Sequence, residues 1–183
     1  MLLNNKQVFQ SEKLGTLPAM NYYSSSQLPA GILDSTDFAY VVENLDTAEK
    51  TAAYTKEKFT FYDRKTCIGQ TPSEFFTERK GDCLSYANFF SYVLSQHGYD
   101  VKKVSFKYHE GGNAWGHVVT LFTDRDGQLK YVTTPDQRVF RNVSSIDDLI
   151  AKEQTRLEIP TLDIKNGKPN VVTIAVGDLS SCH

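Results

Sequence analysis

The 183 residues, 40% apolar and 12% aromatic, are enough to bury one substantial core, so we expect a single domain over residues 31–183. Twenty basic and 22 acidic side chains give a net charge of -2 and a pI near 6.1, which exclude a bulk positive field for nucleic acid or anionic lipid. The apolar runs are far shorter than the roughly 20 residues that span a bilayer, so we expect no membrane insertion.

The chain contains only three cysteines, an odd number. Cys67, Cys83 and Cys182 show no CxxC spacing, which indicates neither a disulfide framework nor a zinc knuckle. At least one thiol is left over, and a reducing compartment suits it. We therefore expect a cytoplasmic protein, or an exported one if a leader has been removed.

The first half of the chain changes from irregular to helical sequence. Residues 1–30 are polar and turn-rich, which predicts an extended or mobile arm. From Ser35 apolar residues recur at helical spacing, so one or two helices should end near Tyr62. Thr71-Pro-Ser-Glu74 combines an N-cap, a proline in the first turn and a glutamate three residues after the cap, which predicts a short helix to about Arg79.

The second half predicts an α+β domain in which one helix packs on an antiparallel sheet. That helix runs from Cys83 to His97, carries a broad apolar stripe and is closed by Gly98. Glu110–Asn113 should be a loop. Alternation, turn residues and capping predict further strands at 103–108, 115–123, 129–134, 139–143 and 171–176, and a helix from about 145 to 157.

Three residues in this layout form a candidate catalytic triad. Cys83 opens a helix, where unpaired N–H groups and the helix dipole stabilise a thiolate. His117 lies on a neighbouring strand, where its imidazole can act as acid and base. Asp136 follows the next strand and could orient the imidazole, since antiparallel pairing brings the start of one strand to the end of the next.

An acyl-transfer site also needs donors for the oxyanion. The Cys83 backbone N–H can be one of them. Gln70, Trp115 and Tyr62 are the candidates for a second donor, and the sequence does not choose among them.

Each triad residue has a simpler explanation when taken alone. A cysteine in an apolar helix is more often a small core residue, a histidine among strand hydrophobes is more often structural, and an aspartate after Pro135 is more often a turn residue. Only their joint arrangement favours catalysis. Zinc bound by Cys83, His109 and His117 is disfavoured by their spacing, so we expect no metal and no cofactor.

Four segments resemble the transglutaminase-like cysteine enzyme superfamily, and within it the bacterial transglutaminase-like cysteine proteinases. The likeness covers roughly Phe59 to Asp136, and the segments are Thr71–Ala87 with Gly-Asp-Cys, Leu94–Gly98, Gly116–Leu121 and Tyr131–Asp136. The resemblance implies a papain-like α+β core and a triad of Cys83, His117 and Asp136. It also implies an amide or peptide hydrolase that forms a thioester, with a protein or peptide substrate.

The resemblance leaves alternatives open. A transglutaminase or a glutamine deamidase would use the same triad, and a binding module could keep the fold without catalysis. The arylamine acetyltransferases are also similar at Arg79–Cys83 and at His117-Val-Val, although few residues remain after Asp136 for their third domain. Leu84 and Ser85 stand where the proteinases usually carry acidic residues, so calcium dependence is not carried over. Val118 stands where an aromatic residue often follows the histidine.

Overall fold

The computed structural model describes residues 25–62, 68–110, 113–135, 137–140, 143–159, 170–177 and 179. Most of the predicted N-terminal arm therefore lies outside the described residues. The described helices are α1 (Phe38–Asn44), α2 (Ala48–Lys58), α3 (Pro72–Glu78), α4 (Cys83–Gln96) and α5 (Ile146–Arg156), with 3-10 helices at Ser25–Gln27 and Ile32–Asp34. The strands are β1 (Thr60–Phe61), β2 (Lys80–Gly81), β3 (Asp100–Glu110), β4 (Asn113–Thr123), β5 (Leu129–Thr133), β6 (Arg138–Phe140) and β7 (Val171–Gly177).

Five strands form one antiparallel sheet in the order β6-β5-β4-β3-β7. The central strand β4 pairs with β3 along its whole length and with β5 over its second half. Successive residues of β4 point to opposite faces of the sheet. This alternation decides which helix each residue of β4 meets.

The two faces of the sheet are covered by different helices. On one face Cys83 and Ala87 of α4 pack against Val118, and the Thr120 hydroxyl donates to the Ala87 carbonyl at 3.3 Å. On the other face Leu149 and Ile150 of α5 join a core cluster with strand residues of β3, β4 and β5. The structure thus confirms the predicted α+β class with a helix on an antiparallel sheet.

An aromatic core holds α4 against the preceding helices. Phe59, Phe75, Tyr86 and Phe89 are buried, and the Phe59 and Phe75 rings meet edge to face with centroids 4.4 Å apart. Edge-to-face aromatic pairs add to the stabilisation that burial already gives. This cluster fixes the side of α4 that faces away from the sheet.

Most predicted elements are confirmed, with shifted ends. The second helix ends at Lys58 instead of Tyr62, because Thr60 and Tyr62 donate backbone hydrogen bonds to the carbonyls of Arg79 and Gly81 and so form the parallel pair β1 and β2. The predicted loop at Glu110–Asn113 is shorter, since Glu110 pairs with Asn113 across the hairpin. Cross-strand pairing satisfies the backbone groups of those two residues.

The N-terminus of α4 is capped by Asp82. Its carboxylate accepts hydrogen bonds from the backbone N–H and the hydroxyl of Ser85, both at 2.9 Å, and its side chain is buried. A cap of this kind satisfies one of the helix N–H groups that have no partner in the first turn. Asp82 therefore sets the position at which Cys83 begins the helix.

We predict that Asp82→Ala lowers the free energy of unfolding by about 1–2 kcal/mol, since it removes a buried cap. Urea denaturation measures the change. Asp82→Asn keeps an acceptor for Ser85 and should lose less. Asp37→Ala, at the exposed cap of the short helix α1, is the matched control and should also lose less. An unchanged midpoint for Asp82→Ala would show that the cap does not hold α4.

Candidate active site

Cys83 is the first residue of α4 and is 7% exposed. The chain enters the helix through Gly81, where space is tight. A Cβ atom at Gly81 would lie 2.6 Å from Oε1 of Gln70 and 2.7 Å from Cβ of Ser85. The absence of a side chain at Gly81 therefore lets the helix start, the Gln70 amide and the thiol-bearing residue approach one another.

His117 lies in β4, opposite Phe106 of β3, and is also 7% exposed. Its ring meets the Phe106 ring edge to face, with centroids 5.5 Å apart. Its Nε2 atom is 2.9 Å from the Thr133 hydroxyl of β5. These contacts direct the ring toward the α5 side of the sheet.

The structure brings Cys83 next to the middle of β4, where His117 lies. Val118, which follows His117, packs against Cys83 on the α4 side. Cys83, Val118 and Thr133 also line one narrow gap between α4 and the sheet. Pairing of the Cys83 sulfur with the His117 ring stays a prediction, and the third predicted residue, Asp136, lies outside the described residues.

The His117 ring adjoins a buried polar cluster that the sequence analysis missed. Glu153 of α5 is fully buried, and its Oε2 atom lies 3.4 Å from His117 Nε2. The Thr133 hydroxyl donates to the same oxygen at 2.9 Å. Arg156 donates to both carboxylate oxygens, to Oε2 at 2.7 Å through Nη2 and to Oε1 at 3.0 Å through Nε.

A pattern in the sequence could have revealed Glu153. It occupies a position on the helical stripe that otherwise consists of apolar residues, Ile146, Leu149, Ile150 and Leu157. A charged residue on the buried stripe of an amphipathic helix needs a partner in the core. Here that partner set includes His117.

The Glu153 carboxylate is held in its ionised form. Burial by itself would raise its pKa, but hydrogen bonds from His117 and Arg156 and the charges of both outweigh burial and lower the pKa to about 2. Burial, and then the adjacent Glu153 carboxylate, raises the pKa of the nearby Tyr131 phenol, which stays protonated. A negative charge therefore faces the His117 ring at neutral pH.

Gln70 is the best placed of the three candidate oxyanion donors. Its side chain is buried, and neither its Nε2 nor its Oε1 has a hydrogen-bond partner among the described residues. Its backbone is fixed to α4, because its N–H donates to Ser85 Oγ and its carbonyl accepts from Asn88 Nδ2. Tyr62 and Trp115 are instead largely exposed.

The described residues contain no group of three His, Cys, Asp or Glu side chains arranged to hold a metal ion. Within the same part of the chain, every helix is too short or too polar to cross a membrane.

We predict that Glu153→Gln flattens the acid dependence of stability. The pKa of Glu153 is lower in the folded chain than its ordinary value of 4.5, so its ionised form stabilises the fold above that pH. This contribution, about 3 kcal/mol from the size of the shift, is lost as the pH falls toward 2. Urea denaturation between pH 7 and pH 2 should show wild type and variant converging in acid. Parallel curves would contradict the assignment.

Residues 37–133 match the model of the transglutaminase-like superfamily. No curated protein sequence matches the chain. Two solved structures, Legionella pneumophila LapG and the same protein treated with EGTA, are each similar at 14% identity and a TM-score of 0.41. The alignments cover 61% of this chain and 63% and 61% of those chains, so it spans about three-fifths of their length. Because the family match extends over more than half of its residues, the chain belongs to the transglutaminase-like superfamily.

Proposed function

We propose that the chain is a cysteine-dependent amide or peptide hydrolase that acts through a thioester. Cys83 is the nucleophile, His117 is the acid and base, and Asp136 is the carboxylate that the sequence predicts as their third member. The observation that carries this proposal is the position of Cys83 at the start of α4, packed against Val118 beside His117. Family membership makes a thiol at this place a reasonable nucleophile.

The proposed reaction has two steps. His117 takes the proton of the Cys83 thiol, the sulfur attacks the carbonyl carbon, the C–N bond breaks, and His117 gives that proton to the leaving amine. His117 then takes a proton from water, which attacks the thioester; the C–S bond breaks, the acid is released, and His117 returns the proton to the sulfur. Each step puts negative charge on the carbonyl oxygen.

That oxygen needs two donors. The Cys83 backbone N–H is at the first turn of α4, where helix N–H groups have no partner within the helix. We assign the second donor to Gln70, because its buried amide has no hydrogen-bond partner among the described residues and lies against Gly81. A preorganised donor of this kind stabilises the transition state more than the ground state.

The surroundings of the site support a peptide as substrate. Tyr62, Ile68 and Trp115 are 58%, 65% and 43% exposed. Each lies close in the chain or the strand pairing to a site residue: Tyr62 donates to the Gly81 carbonyl, Ile68 precedes Gln70 and Trp115 precedes His117. Exposed apolar side chains around a reactive group can bind the side chains of an extended peptide.

We predict that wild-type protein cleaves members of a mixture of glutamine-bearing peptides and that Cys83→Ala does not. Mass spectrometry of the peptides, with and without a primary amine, separates the possible outcomes. Deamidated glutamine in place of cleaved peptide would indicate a deamidase, and incorporated amine would indicate a transglutaminase. A thiol acetylated by acetyl-coenzyme A would indicate an acetyltransferase. The absence of any reaction with both wild type and Cys83→Ala would indicate a binding module.

We predict that Gln70→Ala lowers kcat by about 10²-fold, the usual effect of losing one oxyanion donor. KM and the rate of Cys83 alkylation by iodoacetamide should stay near wild type, because the ground state and the thiol are unchanged. Gln128→Ala, on the exposed hairpin, is the control for glutamine removal. Equal kcat values for the two variants would exclude Gln70 as a donor.

A further inference from the structure

In the polar cluster beside His117, the interatomic distances determine to which acceptor each hydrogen points. The Glu153 carboxylate is ionised and can only accept hydrogen bonds. The Thr133 hydroxyl has one hydrogen and lies 2.9 Å from Glu153 Oε2, compared with 3.4 Å from the Thr134 carbonyl. The hydroxyl hydrogen therefore goes to Glu153, since an ionised acceptor makes the stronger bond.

The position of that hydrogen determines whether the Thr133 hydroxyl donates a hydrogen bond to His117 or accepts one from it. With its hydrogen given to Glu153, the Thr133 oxygen can only accept from Nε2 of His117, which lies 2.9 Å away. Nε2 must then carry the ring proton. In the neutral imidazole the other nitrogen, Nδ1, is left as the base.

Arg156 does not change the directions of these hydrogens. Its Nη2 atom is 3.4 Å from His117 Nε2, but it is closer to three oxygens, which belong to Glu153 at 2.7 Å, Thr134 at 3.0 Å and Thr133 at 3.1 Å. Its hydrogens are directed to these acceptors. Arg156 therefore anchors Glu153.

We infer that Glu153 is a positioning residue: through the Thr133 hydroxyl it holds the His117 Nε2–H toward α5 and leaves Nδ1 to exchange a proton with Cys83. This inference rests on the proposed function, to whose predicted residues it adds Glu153. An imidazole has two nitrogens, and the contacts of Thr133 and Glu153 lie at the first.

The first test is the tautomer of His117, read from its imidazole ¹⁵N resonances in wild-type protein. The inference expects the neutral ring to carry its proton on Nε2, and it expects the same tautomer in Asp136→Asn. A proton on Nδ1, or a tautomer that changes in Asp136→Asn, would overturn it. This measurement needs no catalytic turnover, so it stays informative if the proposed hydrolase activity fails in the comparison of wild type with Cys83→Ala.

The second test is kcat/KM in matched variants. Glu153→Gln should lower kcat/KM on the order of 10²-fold, because the Thr133 hydroxyl loses the ionised acceptor of its hydrogen. Glu153→Asp, which keeps a carboxylate, should restore part of the wild-type kcat/KM. Asp147→Asn, on the exposed face of the same helix, should match wild type. An unchanged kcat/KM in Glu153→Gln, or an effect only in Asp136→Asn, would overturn the inference.

Discussion

The close approach of the α4 N-terminus to β4 is the contact on which the candidate site depends. Three short-range features permit it: no side chain at Gly81, the buried Asp82 cap, and the packing of Cys83 on Val118. The Asp82 cap acts within one helical turn, whereas the Gly81 and Val118 contacts join segments distant in the chain, so the thiol is placed both by local capping and by the core. A nucleophile at the end of a packed helix loses little orientation freedom, which is what proximity effects in catalysis require.

A second constraint comes from β4 itself. The strand presents Val118 to α4 and His117 to α5, so helices on opposite faces of the sheet contact neighbouring residues of one strand. Burying the Glu153 and Arg156 charges costs several kcal/mol each before pairing. Their mutual hydrogen bonds, the Thr133 hydroxyl and the Thr134 carbonyl offset this cost, and His117 adjoins the same cluster. A well-packed apolar pair would stabilise the helix equally, so the presence of two charged side chains here favours a role for them beside the His117 ring.

The sequence predicted those elements whose signals are local. The Thr71 capping box, the apolar stripe of α4 with Gly98 behind it, and the alternation in β3 and β4 all predicted elements that the structure contains. Strand and helix ends were less accurate, because backbone pairing such as that of Tyr62 with Gly81 extends or stops an element without changing the pattern of side chains.

The site was predictable only in part, for a related reason. The order of Gly-Asp-Cys, histidine and aspartate gave Cys83, His117 and Asp136 as a set, and in the structure Cys83 packs against Val118, the residue after His117 in β4. Glu153 comes after them in the chain, and its link to His117 depends on how α5 packs on the sheet. Both Cys83 and His117 are only 7% exposed, while Tyr62 and Trp115 beside them are largely open to solvent. Under the proposed function, an acyl group would reach the sulfur past exposed side chains that the core does not fix, so substrate choice would depend on these peripheral residues more than on the buried ones.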